Sequence, residues 1–346
     1  MKELNHPLVS IITPGWNGKQ FVHRLLDSVL AQTYDRMEYI YVDDGSTDGT
    51  KDIVLSYKEK FEKRGISFNY IYKKNGGLCS AIQEGLKHVN GEVMCWPEYD
   101  DILLPTVMER RVKYLENHPD CGSVTCDAWI TPENDLEHPT GRLSGFNPNR
   151  FDRNHFTQLL LGNSIFTAAC HMVRMDAFDD THPNREIYMS RSGAIWQMLL
   201  PIYYKYNRGY IDEPLVKWVV RSNSISHSLV TKQKTLAFVE ECFTIRKTVL
   251  NNIDMPQDDR LLYLGLVRMA RANDYMRQAL IYHDKKLFYQ GFEYYKDKGI
   301  HVKKCINVQK LQIDHAAIYY TVKCWKWASL KIMYIFSLFY HNVCKD

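Results

Sequence analysis

The sequence predicts an α/β fold: a mostly parallel sheet with helices on both faces, plus a C-terminal helical extension. Three features of the 346-residue chain predict it. Residues 8–130 alternate short apolar runs with segments whose apolar residues recur at helical spacing. The apolar runs end in glycines, prolines and carboxylates, as strands do at tight turns. From about residue 231 the alternation stops and amphipathic helical segments take over.

The elements follow in order. "LVSIIT" (8–13) is a buried strand, and "FVHRLLDSVLAQTY" (21–34) a helix with Phe21, Val22, Leu25, Leu26, Val29 and Leu30 on one face. "MEYIYVDD" (37–44) is the second strand and "TDGTKDIVLSYKEKF" (47–61) the second helix. "ISFNYIYK" (66–73), "GLCSAIQEGLKHV" (77–89) and "GEVMCWPE" (91–98) read as strand, helix and strand. "TVMERRVKYLENH" (106–118) is a helix and "CGSVTCDAWI" (121–130) a fifth strand. Such strand–helix–strand units imply parallel pairing. "TPENDLEHPTGRLSGFNPNR" (131–150) reads as a long surface loop, and loops of that length are commonly functional. Residues 151–230 mix short elements and close on the alternating "YIDEPLVKWVVRS" (210–222). The expected division is 1–230, split into 1–130 and 131–230, followed by a helical region 231–346.

Composition narrows the function. Apolar residues make up 45% and charged residues 24%, so the chain can bury a core. A net charge of +4 is a mild excess that by itself argues little, since nucleic-acid binders show a concentrated basic stripe, and no nucleic-acid partner is expected. Nine cysteines with no C-x-x-C pair read as buried free thiols. The opening "MKELNHPLVSIIT" lacks a signal-peptide pattern, so the expected location is cytoplasmic. The stretch "YYTVKCWKWASLKIMYIFSLFYHN" (319–342) has no uncharged run long enough to span a bilayer. It is expected either to pack on the protein or to lie peripherally on the inner face of the membrane.

Chemistry is expected where the parallel strands end, because ligands bind beyond their carboxyl ends. Thr13 and Pro14 close the first strand, and Asp43 and Asp44 close the second in "DDGSTDGT". Asn75 and Gly76 open the helix after the third, and "CWPEYDD" (95–101) follows the fourth. Glu98, Asp100 and Asp101 repel one another unless a cation sits among them. Magnesium or manganese takes oxygen ligands of this kind together with phosphate oxygens. The expected cofactor is therefore Mn2+ or Mg2+, held by Glu98, Asp100 and Asp101 beside a bound diphosphate.

These blocks resemble the inverting family 2 glycosyltransferases of the GT-A, Rossmann-like fold. "VSIITPGWNGKQFVHRLLDSVLAQTYDRMEYIYVDDGSTDGT" is similar to the family's opening segment, and "NGGLCSAIQEGL…GEVMCWPEYDDILLP" to its second block. Residues 7–125 carry the likeness strongly and 150–228 more weakly. The resemblance implies that Thr13 and Pro14 line a base pocket and that Asp43 and Asp44 read the base, typically uracil. It implies that Asp100 and Asp101 contact metal or ribose, with Glu98 in place of the family's usual Asp. Trp96 and Pro97 resemble members from bacterial surface-polysaccharide clusters. In "GYIDEPLVKWVVRSNSISHS", Arg221, Ser226 and His227 would approach the diphosphate, although His227 reads equally as an ordinary surface residue.

One departure concerns the base. Inverting transfer needs a group to take the acceptor proton, which the family supplies as an acidic pair opening a helix. The corresponding "SRSGAIWQMLLP" (190–201) has no carboxylate. Glu186, Asp180 and Asp212 are near in sequence but off the pattern. The expectation is a glycosyltransferase moving a sugar from a nucleotide-sugar donor, a UDP-sugar, to a saccharide or lipid-linked oligosaccharide acceptor. The rivals are a nucleotidyltransferase of the same fold, opposed by the lone Lys19 in "TPGWNGK", and a non-catalytic saccharide-binding or complex-forming subunit.

Overall fold

The computed structural model describes residues 1–145, 147–221 and 231–297. Ser226, His227 and the stretch 319–342 lie outside the described residues. The chain divides into two compact units, Met1–Ser228 with Glu241–Leu264, and Leu229–Glu240 with Gly265–Asp346.

The first unit is the α/β body. Its opening half runs β1 (Val9–Gly15), α1 (Val22–Leu30), β2 (Met37–Asp43), α2 (Thr50–Ser56), α3 (Lys58–Lys63), β3 (Ser67–Tyr72), α4 (Leu78–Leu86) and β4 (Val93–Cys95). The four strands pair in parallel in the order β3-β2-β1-β4. Every residue of β1 and β2 is buried, as a central parallel strand covered on both faces requires. The single helix expected over 47–61 is two. Gly49 is left-handed, and Asp48 Oδ1 accepts from the Thr50 N–H at 3.0 Å, which moves the start to Thr50. The two helices join at Tyr57, whose hydroxyl donates to Asp27 Oδ1 at 2.9 Å.

The second half runs β5 (Ile102–Leu103), α5 (Val107–Asn117), β6 (Cys121–Pro132), β7 (Gly141–Arg142), α6 (Phe156–Leu160), β8 (His171–Arg174), α7 (Met175–Thr181), α8 (Ala194–Lys205) and β9 (Asn207–Val220). The sheet order is β3-β2-β1-β4-β8-β6-β9-β5, with β7 paired to β6. Its three longest pairings, β1 with β2, β2 with β3 and β6 with β9, are all parallel. The fifth strand does not join the fourth directly. β8 lies between them, antiparallel to both. Four residues are too few for their alternation to show in sequence. The expected surface loop at 131–150 is partly built into the sheet. β7 pairs with β6, and Asp127 of β6 accepts from Arg142 Nε at 2.6 Å and from the Ser144 N–H and hydroxyl at 2.8 and 2.6 Å.

The core of this unit packs Leu25, Leu26 and Val29 of α1 with Val107, Val112 and Leu115 of α5 and the apolar residues of the sheet. All six described cysteines, among them Cys95 and Cys170, are free and buried. Three imidazoles are buried as well, those of His155, His171 and His182. Burial pushes the proton affinity of both His155 and His171 down, each to about 3. The unfolded chain therefore binds protons at these sites before the folded one does. Stability present above about pH 6.5 is lost as pH falls from there toward about 3. Each imidazole is expected to cost about 1.4 kcal/mol per pH unit in that window. Urea unfolding at about pH 7 and about pH 5.5 should give a difference that shrinks in His171→Gln. An unchanged difference would contradict the assignment.

Beyond the sheet come α9 (Lys232–Asn252), α10 (Gln257–Ile281) and α11 (Lys285–Asp297). The second unit has a small core of its own around Ala272, Met276, Ala279, Leu287 and Phe288. Arg271 pairs with Glu240 there at 2.7 Å, and Lys232 pairs with Asp284. Among the described residues, no helix is long and apolar enough to cross a membrane.

Candidate functional site

The carboxyl ends of β1, β2, β3 and β4 bring the predicted loops to one edge of the sheet. Thr13 and Pro14 end β1 in full burial. Gly15 follows because the Tyr41 hydroxyl fills the space a Cβ would take, 1.9 Å from its ideal position. The loop after β1 is stitched to the loop after β2. Asn17 accepts from the Thr47 N–H and donates its own N–H to Ser46 Oγ, both at 2.9 Å.

Asp43 and Asp44 do different jobs. Both are almost fully buried. Asp43 accepts from the Ser46 N–H and from the Tyr70 hydroxyl, each at 2.7 Å, one on each oxygen. A carboxylate accepts about four hydrogen bonds, so Asp43 keeps capacity for a ligand. Asp44 does not. Lys73 Nζ lies 2.7 Å from its Oδ1, and the Gly76 and Gly77 N–H groups reach the two oxygens at 2.7 to 3.1 Å. Asn75 Nδ2 donates to the Asp44 carbonyl at 2.9 Å. Asp44 thus clamps the "KKNGG" loop at the start of α4. Lys73 and Tyr70 were not foreseen, although both stand in strand-end segments the sequence had marked.

The acidic cluster answers its own repulsion with a guanidinium. Arg221, at the end of β9, forms an ion pair with Asp100. Its Cζ lies 4.4 Å from the Phe21 ring centroid and 5.9 Å from that of Tyr99. Asp101 turns inward. It is 1% exposed, its Oδ1 accepts the Val219 N–H at 3.2 Å, and its Oδ2 has no partner. Burial, then Asp100, push Glu98 up to about 7, against the pull of Arg221. Asp101 rises well above the carboxylate range, mainly through burial and then through Asp100 and Glu98. The three carboxylates therefore do not form a ready cage. Among the described residues, no group of three or more His, Cys, Asp or Glu is arranged to hold a metal. Asp100 and Glu98 are the two half-buried members, and Asp101 ties the cluster to β9.

The base candidates stand apart from this corner. Asp212 is seven positions before Val219 on β9, which at strand rise is roughly 23 Å. It pairs with Arg142 at 2.5 Å and Arg150 at 3.6 Å. Glu186 is exposed beside a cavity of about 320 Å³ lined also by His182 and Gln197. Its neighbours are pinned to α4, where Gln83 donates to the Arg185 carbonyl and accepts from the Ile187 N–H. α8 opens without an acid, after a left-handed Gly193. The segment before it passes over the N-terminus of α4. The Arg191 Cα lies 3.5 Å from where a Cβ on Gly77 would sit.

Residues 10–181 match the family model described as glycosyl transferase family 2. Over residues 10–181 the chain belongs to glycosyltransferase family 2. An uncharacterized glycosyltransferase of Rickettsia typhi is 43% identical over 109 residues, covering 32% of this chain and 32% of the relative. A putative teichuronic acid biosynthesis glycosyltransferase of Bacillus subtilis, TuaG, is 35% identical over 109 residues, 32% of this chain and 42% of the relative. Matches to such curated relatives thus span about a third of their length. Among solved structures, Staphylococcus aureus TarS 1–349 in complex with UDP-GlcNAc has a TM-score of 0.55 at 14% identity, covering 85% of this chain and 93% of that one. The mannosyltransferase PcManGT of Pyrobaculum calidifontis, in complex with GDP-Man and Mn2+, has a TM-score of 0.55 at 15% identity, covering 92% and 83%. Both likenesses establish the GT-A fold of this family 2 chain.

Proposed function

We propose that this family 2 chain transfers a sugar, with inversion, from a UDP-sugar to a saccharide acceptor in surface-polysaccharide synthesis. A lipid-linked oligosaccharide at the inner membrane face is the acceptor that fits best. The carrying observation is the corner where Asp100, Glu98 and Arg221 meet at the carboxyl ends of the strands, with Asp43 buried at the end of β2. The relative named for teichuronic acid synthesis and the fold neighbour holding UDP-GlcNAc support the polymer and the nucleotide.

In this reading Asp43, with acceptor capacity to spare, takes the N–H of the base near Thr13 and Pro14. Asn75 and Gly76, held by Asp44, bound the nucleotide. Arg221 exchanges Asp100 for the diphosphate and offsets the charge of the leaving group. A magnesium or manganese ion would be held by Asp100 and Glu98 once Arg221 has turned to the diphosphate; burial raises the proton affinity of both, with Asp100 adding to that of Glu98, and a hard cation would offset the same charge. When bound, it supplies further charge stabilisation to the diphosphate oxygens. Asp101 holds the cluster against β9 rather than ligating. The acceptor oxygen attacks C1 of the sugar as the bond to the diphosphate breaks, and its proton passes to a base. Of the three candidates, Asp180 is paired with Lys205 and Tyr206 and Asp212 with Arg142, which leaves Glu186 for that role. Residues 1–230 would form the transferase domain and 231–346 a helical region, with 319–342 as a peripheral membrane contact.

A second reading is a saccharide-binding subunit without turnover. The absence of any carboxylate from 187 to 205 favours it. Calorimetric titration with UDP, with and without manganese, separates the two when paired with a UDP-sugar turnover assay. Manganese-dependent binding with UDP release supports the transferase. Binding without release favours the subunit, and no UDP binding by the folded protein would sink the donor assignment.

A further inference from the structure

A cavity of about 360 Å³ lies in the first unit between residues 143–150, residues 155–165 and the start of β9. Arg208 lines it at the base of β9, eleven positions before Val219, and so on the order of 30 Å from the Asp101 contact. It is separate from the donor corner. Ser144, Asn147, Asn149, Asn163 and Ser164 give it a polar wall.

Arg208 is the feature that asks for a ligand. It is 2% exposed. Its Nη2 donates to the Arg150 and Asp152 carbonyls, while its Nε has no partner. Among the described residues, no carboxylate lies within ion-pair distance of it. Arg111, equally buried, makes the contrast. That guanidinium spends its donors on the Val107, Ala169 and His171 carbonyls and on Met108 Sδ. Arg150 is already paired with Asp212. His155 contacts Ser164 Oγ at 3.1 Å, and burial together with Arg208 keeps its ring neutral. A buried guanidinium with an open donor and no counter-charge is costly, and an oxyanion removes the cost.

We propose that this cavity binds a sugar residue bearing a carboxylate or phosphate, with the oxyanion on Arg208 and hydroxyls on Ser144, Asn147 and Ser164. The volume supports a sugar over a bare anion, since pockets for small organic ligands begin at about 300 Å³. Amide and hydroxyl walls supply both donors and acceptors, as a polyol requires. The site would grip an acidic polymer away from the reacting end. It does not depend on the donor assignment.

The test is saturation-transfer NMR on the full chain with saturating UDP present, so that the donor corner is excluded. The probes are glucuronate, glucose 6-phosphate and glucose, with inorganic phosphate, which has no C–H protons, read by how well it displaces the acidic sugars' signals. One or both acidic sugars should bind, and which of the two does so identifies the carboxylate or the phosphate as the source. Glucose and phosphate should bind at least tenfold more weakly. Arg208→Gln should weaken the acidic sugar about tenfold or more, the worth of a charge-assisted hydrogen bond. Because Arg208 is buried, a second variant guards the test. Asn163→Trp, from the exposed rim, should block the cavity while UDP binding persists. Acidic sugar bound equally by Asn163→Trp, glucose binding as well as glucuronate, phosphate binding as well as either sugar, or no transfer to any probe would each overturn the proposal. Loss of UDP binding alone would count against the donor assignment and leave this site standing.

Discussion

Asp100→Ala should reduce UDP-sugar turnover roughly 10²–10³-fold, the usual cost of removing one group that stabilises charge in a transition state. The side chains of Asp100 and Arg221 are 16% and 14% exposed, so the change also strands a largely buried guanidinium and costs stability. Arg221 keeps its places over the Phe21 and Tyr99 rings, which hold a cation without a carboxylate. The rings offset only part of that cost, so the thermal midpoint should fall, and at a temperature where the variant is still folded manganese no longer strengthens UDP binding. Asp101→Asn is the informative contrast. Asp101 serves β9 through the Val219 N–H, and an amide oxygen accepts that hydrogen bond as well. Asp101→Asn should keep manganese-dependent UDP binding. If it instead abolishes that binding while Asp100→Ala preserves it, the roles given to the two residues are reversed. Both results come from one pair of titrations, with unfolding curves as the control.

The contrast also marks where sequence reasoning reaches its limit. Three carboxylates in "EYDD" look alike in a string, and the repulsion among them called for a cation. The structure provides one from Arg221, 120 positions later, through a strand whose end folds back over the cluster. Spacing along the chain does not encode that return. The inward turn of Asp101 is likewise a tertiary fact, since it depends on where the Val219 N–H lies. The parallel half was legible because each of its strands is a short apolar run and each helix has an apolar stripe. β8 was not, because its register comes from the neighbours it joins. Asp212 looked near the active edge on the page. Strand rise carries it roughly 23 Å away, to an ion pair with Arg142. The absence of an acid before α8 was legible in sequence, and the structure adds that Arg191 stands over Gly77 there.

Asp44→Asn should destabilise the first unit by about 3–5 kcal/mol, the scale for stranding one partner of a buried ion pair. The side chains of Asp44 and Lys73 are 5% and 19% exposed, so solvent screens the pair weakly. An amide has one acceptor oxygen where Asp44 uses two. It cannot serve Lys73 and both the Gly76 and Gly77 N–H groups, and its NH2 would face donors. The "KKNGG" loop should then loosen at the start of α4, weakening UDP binding along with stability. Adding Lys73→Met tests the cause. If the stranded ammonium carries the cost, the double variant should recover part of the stability in urea unfolding, because the second change removes the unpaired charge. UDP binding should not recover with it, since the Gly76 and Gly77 N–H groups still lack their carboxylate. A double variant no more stable than Asp44→Asn would assign the cost to the loop backbone and leave the ion pair a minor contributor. Recovery of both properties together would mean that Asp44 acts only through Lys73, and that the loop finds its shape without the clamp.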